Sequence, residues 1–324
     1  MTGVWTFLTK VSNLSDWEID RGGLREIAES GAAEVAAPTR MPQPACLRKN
    51  LGKDVKTQDA IRQLCLEPLP VLDVPAADAV DMAAAAGFGC MSLWVNSPTP
   101  QFEAPCRVEP RAAPALSRRL KDAGIEVRNL EVFRVGPGTD ISLYAAPLEL
   151  GAELGAKTAT AIARDGSSET AESLARLSQL AAGLGIRVNV EFLSYRGPDS
   201  LSQAVELVTR AGDAGTGILL DILHLVRSGG SVDEVRTLDP QLVGHVQLCD
   251  GPLAAPSQGL EHESACDRML PGTGEFPVAA FIAALPPVTL GLEIPRTSGA
   301  FRGLTPSERV STLLETTRSF LRRD

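Results

Sequence analysis

From about residue 61 onward, short aliphatic and β-branched runs alternate with longer stretches of helical period. The runs cover 62–68 (RQLCLEP), 90–95 (CMSLWV), 127–133 (VRNLEVF), 158–163 (TATAIA), 187–193 (RVNVEFL), 217–221 (GILLD), 244–250 (GHVQLCD) and 289–295 (TLGLEIP). They are too short for helices and suit buried strands. The intervening segments 75–86, 110–123, 141–154, 168–184, 200–211, 231–238, 276–284 and 306–322 are predicted helices. Strands alternating with helices imply parallel βαβ units.

Local signals mark several boundaries. Gly87 follows the Ala-rich segment VDMAAAA as a helix C-cap should, and Gly124, Gly155 and Gly185 precede strands in the same way. Ser167 or Ser168 and Ser200 are predicted N-caps, and Thr305-Pro306 reads as an N-cap followed by proline at the first helical position. Segment 168–184 places Ala171, Leu174, Leu177, Leu180 and Ala181 on one stripe. Eight βα units within residues 61–324 match a (β/α)8 TIM barrel, which takes ~250 residues. A doubly wound sheet would open on a glycine-rich turn, whereas EPLPVLDVP here contains no glycine.

Residues 1–60 do not share the pattern. They hold Pro38, Pro42 and Pro44, a mixed-charge stretch from Asp16 to Glu29 and a lysine-rich stretch from Lys49 to Lys56. They are expected to form an N-terminal extension with a short helix near 22–30. It is either a peripheral, poorly ordered tail or a cover for the barrel bottom or a neighbouring subunit.

Composition narrows the partners. Of 324 residues, 44% are hydrophobic and 22% charged, which suits a globular chain. The net charge of −9 repels phosphate backbones and argues against nucleic acid. No apolar run reaches the ~18 residues of a membrane span, and MTGVWTFLTK does not read as a secretory leader. Six cysteines, none in a CxxC pair, fit reduced thiols in a cytoplasmic protein. With aromatics at 4%, the core must be aliphatic and Ala-rich.

A TIM barrel carries its site at the C-terminal ends of its strands. The polar residues there are Glu191 in VNVEF, Asp221 in ILLD, Gln247 in HVQLCD and Glu293 in GLEIP, each set in an apolar run. Any one alone could be a helix cap or an ion-pair partner. Together, three buried carboxylates repel each other and cost several kcal/mol each if ionised and unpaired, and a divalent cation is the simplest compensation. An all-oxygen set favours Mn²⁺ or Mg²⁺ over Zn²⁺.

The three histidines lie between the sixth and eighth strands. His224, three residues past Asp221, would sit at the rim of the mouth within reach of a substrate oxygen, or simply fill a loop. His245 shares a strand face with Gln247, one layer deeper, as a supporting hydrogen-bond partner or a satisfied core histidine. His262 and Glu263 fall in the long loop after the seventh strand, a candidate lid. Arg268 in that loop is a candidate anchor for a substrate carboxylate or phosphate, with a surface salt bridge as the alternative. The LPGTGEF turn gives a weak signal for an anion loop. Glu131, ending the third strand, faces the same mouth and could bind substrate hydroxyls or assist proton transfer. Glu67, ahead of Pro68, is given no role.

The fragments VNVEF, LLDILH, GHVQLCDG, ESACDRMLPGTGEF and GLEIP resemble the sugar phosphate isomerase/epimerase superfamily, the xylose isomerase-like barrels. The resemblance covers residues 62–322 and is most specific in the second half. It implies one divalent metal on Glu191, Asp221, Gln247 and Glu293, with the family's D-x-x-H pair on Asp221 and His224 and its loop arginine on Arg268. Ketose 3-epimerases carry His at the third ligand position; Gln247 is similar to hydroxypyruvate isomerases and 3-dehydroshikimate dehydratases. The implied function is a metal-dependent isomerase or epimerase of a small sugar or polyhydroxy-ketone. Glu191 or Glu293 would remove a proton to give a cation-stabilised enediolate, while His224 and Arg268 orient the substrate. Expulsion of a β-hydroxyl from the same species would make it a dehydratase of a cyclic hydroxy-ketone. The resemblance also allows a homo-oligomer. An abasic-site endonuclease on this barrel would need more histidines and a basic groove, and a non-enzymatic protein would use the acids as caps and ion pairs.

Overall fold

The computed structural model describes residues 64–97, 104–212 and 215–323. The expected extension 1–60, and Cys46 within it, lie outside the described residues. Eight parallel strands close into a barrel in chain order: β1 (Leu64–Leu66), β2 (Cys90–Trp94), β3 (Glu126–Val135), β4 (Thr158–Ala163), β5 (Arg187–Glu191), β6 (Gly217–Asp221), β7 (Val243–Leu248) and β8 (Leu290–Leu292), with β8 pairing back onto β1. Around them run α1 (Ala76–Ala86), α2 (Ala113–Ala123), α3 (Ala145–Glu153), α4 (Ser168–Ala182), α5 (Leu201–Ala211), α6 (Ile222–Arg227), α7 (Val232–Thr237), α8 (Leu260–Cys266), α9 (Val278–Ala284) and α10 (Pro306–Leu321). The architecture is the expected TIM barrel. Every predicted strand overlaps an observed one, and every predicted helix contains a helix. No helix among the described residues is long and apolar enough to cross a membrane.

The boundary chemistry is largely as expected. Gly87 ends α1 in the left-handed region at φ 98°, which a side chain would resist, and Gly124, Gly155 and Gly185 also have positive φ. Ser167 accepts the Thr170 N–H, and Thr305 forms a capping box with Glu308 ahead of Pro306. Ser200 holds the N-cap position of α5 but accepts no helix N–H; its hydroxyl pairs with Ser202 instead.

Three departures affect the site. β3 continues two residues past the expected end at Phe133, to Val135. The loop after β6 folds at once into α6, because Asp221 ends the strand and caps the helix by accepting the Leu223 N–H. The long loop after β7 contains α8.

The main core lies between barrel and helices. Leu174, Leu177 and Ala181 of α4 are fully buried, while Leu180 at the stripe's edge is only partly so. Each such leucine contributes about 1.5–3 kcal/mol of burial.

Inside the barrel, register decides which residues share a layer, since partners on parallel neighbours project to the same face. One row runs Arg134, Ile162, Glu191, and another runs Asp221, Gln247, Gly291. The layer beneath is polar for a TIM barrel, which usually fills its interior with branched aliphatics. Ser92, Asn129, Thr160, Asn189 and His245 are all buried there.

Candidate metal centre

β5 and β6 deliver Glu191 and Asp221 to the mouth on adjacent strands, and α6 returns His224 against both. One ligand atom from each of the three lies within 4.8 Å of the others. Among the described residues no other three His, Cys, Asp or Glu side chains come so close. Asp221 is fully buried and uses both oxygens. Oδ1 accepts the Leu223 N–H at 2.8 Å, and Oδ2 accepts Arg268 Nη1 at 2.7 Å. The two modest readings of a strand-end acid, cap and ion pair, therefore both hold for Asp221, inside the cluster rather than instead of it.

His224 is held from behind. The Ser194 backbone N–H donates to its Nδ1 at 3.3 Å. A backbone N–H can only donate, so Nδ1 is bare and the neutral ring carries its proton on Nε2. Burial pulls its pKa down to about 4, against the opposing Asp221 charge, so the ring is neutral near pH 7. Nε2 stands 3.8 Å from Glu191 Oε1 and 3.9 Å from Asp221 Oδ2. An N–H so placed is a donor toward the mouth, in keeping with a residue that touches a substrate oxygen rather than a cation.

Gln247 and Glu293 come from the next two strands. Gln247 is the register partner of Asp221, and Arg268 Nη1 reaches the Glu293 backbone carbonyl at 3.4 Å. Gln247 Nε2 donates to Glu131 Oε1 at 3.1 Å. The buried Gln247 Oε1 and Glu293 Oε2 have no hydrogen-bond partner. Burial pushes Glu191 up to about 8, with the Asp221 charge adding to it. Glu131 and Glu293 are pushed well above the usual carboxylate range, first by burial and then by neighbouring carboxylates. Burial works against the Arg268 cation, but Asp221, Cys249 and Glu293 outweigh it and raise its pKa. Crowded acids and unpartnered buried oxygens fit the needs of a divalent cation, but the set drawn within 4.8 Å is Glu191, Asp221 and His224; Glu293, expected as a ligand, is not in it.

Arg268, expected as a substrate anchor, is buried in its bond to Asp221; Nε also donates to the Ser264 carbonyl of α8. His245 lies beneath Gln247 and binds Glu67 at 2.7 Å. His262 sits half-buried on α8, with no hydrogen bond to the cluster among the described residues. The LPGTGEF amides are not open to an external anion. The buried Asp250 carboxylate accepts the N–H groups of Gly251, Gly272, Gly274 and Phe276.

Two residues without a role in the sequence belong to this interior. Glu67 is fully buried, and its carboxylate fills the space above Gly291, where a Cβ would stand 2.1 Å from Oε1. The glycine of GLEIP and the alternation of Cys65 with Glu67 were the available signals. Arg134 shares the register row of Glu191 and stands near Arg196, Tyr144, Tyr195 and Glu261. Ending the third strand at Phe133 concealed it. Next to Glu131, the register partner of Trp94, Trp94, Cys106 and Val132 form a separate apolar cluster with Leu69, Leu72 and Ile162 packed on it.

A family model described as the xylose isomerase-like TIM barrel matches residues 80–319. The chain belongs to that family. Xylose isomerase-like relatives include a 3-dehydroshikimate dehydratase of Pseudomonas aeruginosa, 29% identical over 219 residues, which are 63% of this chain and 33% of that protein. The chain thus spans about a third of the dehydratase's length. A Streptomyces coelicolor protein, assigned by name only as a hydroxypyruvate isomerase, is 28% identical over 248 residues, 65% of this chain and 78% of its own. Among solved structures, the IOLI protein with a bound zinc atom superposes with a TM-score of 0.66 at 17% identity, covering 81% of this chain and 98% of that one. The xylose isomerase-like family is thus a family of enzymes, with isomerases and dehydratases among the relatives.

Proposed function

We propose that this chain is a divalent-metal-dependent enzyme that removes a proton next to the carbonyl of a small hydroxy-ketone and returns it elsewhere, as an isomerase or epimerase. The observation that carries the reading is the convergence of Glu191, Asp221 and His224 within 4.8 Å; Gln247 and Glu293 add buried oxygens without a hydrogen-bond partner. When bound, Mn²⁺ or Mg²⁺ would supply Lewis-acid polarisation of the substrate oxygens. Glu191 ends β5 and Glu293 directly follows β8, three strands apart around the mouth. One can take a proton while the other returns it to the adjacent carbon or the opposite face. The Nε2–H of His224 donates to a substrate oxygen. Arg268, paired with Asp221, supplies a fixed positive charge as negative charge develops on the substrate.

A dehydratase is the second reading, favoured by the 29% identity over 219 residues to a 3-dehydroshikimate dehydratase.

Both readings share the enolisation step, and one experiment tests it. Chelated protein should not exchange solvent deuterium into hydroxypyruvate, candidate ketoses or dehydroshikimate, and Mn²⁺ or Mg²⁺ should restore exchange. Glu191→Gln should lower the restored rate by about 10²–10⁴-fold. A new conjugated chromophore with dehydroshikimate would select the dehydratase. Turnover unaffected by chelation would sink both.

A further inference from the structure

Gln247 raises a problem that a histidine ligand would not. Its amide offers an oxygen and a nitrogen at nearly equal reach, only the oxygen can bind a hard cation, and a half-turn exchanges them. We propose that Glu131 is the positioning residue that fixes this choice, holding the Gln247 amide with its oxygen toward the cation. The inference rests on the metal reading above and assigns Glu131 a task other than substrate binding.

Gln247 Nε2 lies 3.1 Å from Glu131 Oε1, while Gln247 Oε1 is buried and unpartnered. The reversed amide would set its carbonyl against a carboxylate oxygen, acceptor to acceptor, and aim the NH₂ group at the cation. Glu131 cannot easily turn away. The same Oε1 accepts Asn129 Nδ2 at 3.3 Å, and Asn129 Nδ2 also reaches Thr160 Oγ1 at 2.8 Å. Thr158 Oγ1 donates to Asn129 Oδ1 at 2.9 Å. Two amide N–H donors thus converge on one oxygen, which serves as acceptor whatever the state of Oε2. A short polar chain, anchored in β3 and β4, determines which atom β7 presents. Such supporting bonds typically alter metal affinity by about 10–100-fold when removed.

The test is a double-mutant cycle on the full chain, with Mn²⁺ as the probe. Binding is read by titration calorimetry and by the Mn²⁺ EPR spectrum. Glu131→Leu should weaken Mn²⁺ about 10–100-fold and alter the spectrum, and Gln247→Leu should do the same. The double variant should be no weaker than Gln247→Leu alone, because Glu131 acts only through that side chain. Glu131→Gln keeps an acceptor oxygen where Asn129 holds it but removes the charge, so it should bind near wild type. Circular dichroism of the chelated proteins checks folding, and Glu131→Met replaces the leucine variant if that fails to fold. Wild-type affinity in Glu131→Leu, additive losses in the double variant, or loss in Glu131→Gln equal to that in Glu131→Leu would each overturn the proposal while leaving the metal reading standing. A wild-type chain that binds no Mn²⁺ would overturn both.

Discussion

Asp221 closes a strand, starts a helix and neutralises a buried guanidinium with one carboxylate, and the mouth is built around that economy of oxygens. Its neighbour Glu191 has no such partner, and burial lifts its pKa to about 8. The unfolded value is roughly 4.3. A carboxyl raised in the folded state adds stability that is complete below about pH 4.3 and is lost as pH rises through about 8, because the folded chain then holds a proton the unfolded chain has released. Chelated protein should therefore lose melting temperature as pH climbs from about 6 toward 8 and level off above it. Saturating Mn²⁺ should flatten the loss, since a cation favours the ionised carboxylate. Melts in chelator and in Mn²⁺ across this range check it; a chelated protein that gains stability with pH would contradict the environment assigned to Glu191.

At the scale of an element, the segment after β7 is organised from within. Asp250 collects four backbone N–H groups, from Gly251, Gly272, Gly274 and Phe276, and Arg227 of α6 pairs with Glu263 of α8 in a nearly buried ion pair. These bonds set the path that carries Ser264 and Arg268 to the cluster. Asp250→Ala leaves several of those amides without a partner. At about 1–3 kcal/mol for each that stays buried, it should cost at least ~3 kcal/mol in urea denaturation. Asp250→Asn, which keeps one acceptor oxygen, should lose less. Equal stability of Asp250→Ala and the parent would remove the carboxylate as the organiser of the segment.

For the whole molecule, barrel closure brings β1 against β8 and makes Glu67, Gly291 and His245 neighbours. The space above Gly291 is filled by Glu67, so Gly291→Ala should destabilise by about 1–3 kcal/mol through overpacking. Removing Glu67 opens that space, and the loss in a Glu67→Ala, Gly291→Ala double variant should be smaller than the two single losses added together. Strict additivity in thermal or urea unfolding would show that the two residues do not share the space.

Periodicity and punctuation determined the element order by themselves. Buried strands require apolar runs, and helices require a stripe and caps, so TATAIA, GILLD, the α4 stripe and the Thr305 capping box were legible in one dimension. So were Glu191, Asp221, Gln247 and Glu293, because a polar residue ending an apolar run is conspicuous. Tertiary structure alone decided which of these groups touch. Glu67 and His245 meet only when the barrel closes. Arg134 joins the register row of Glu191 only because β3 runs on past Phe133, and the orientation of the Gln247 amide is set by a carboxylate on another strand. Contact distances and hydrogen-bond choices arise between segments far apart in the chain, where local pattern carries no information.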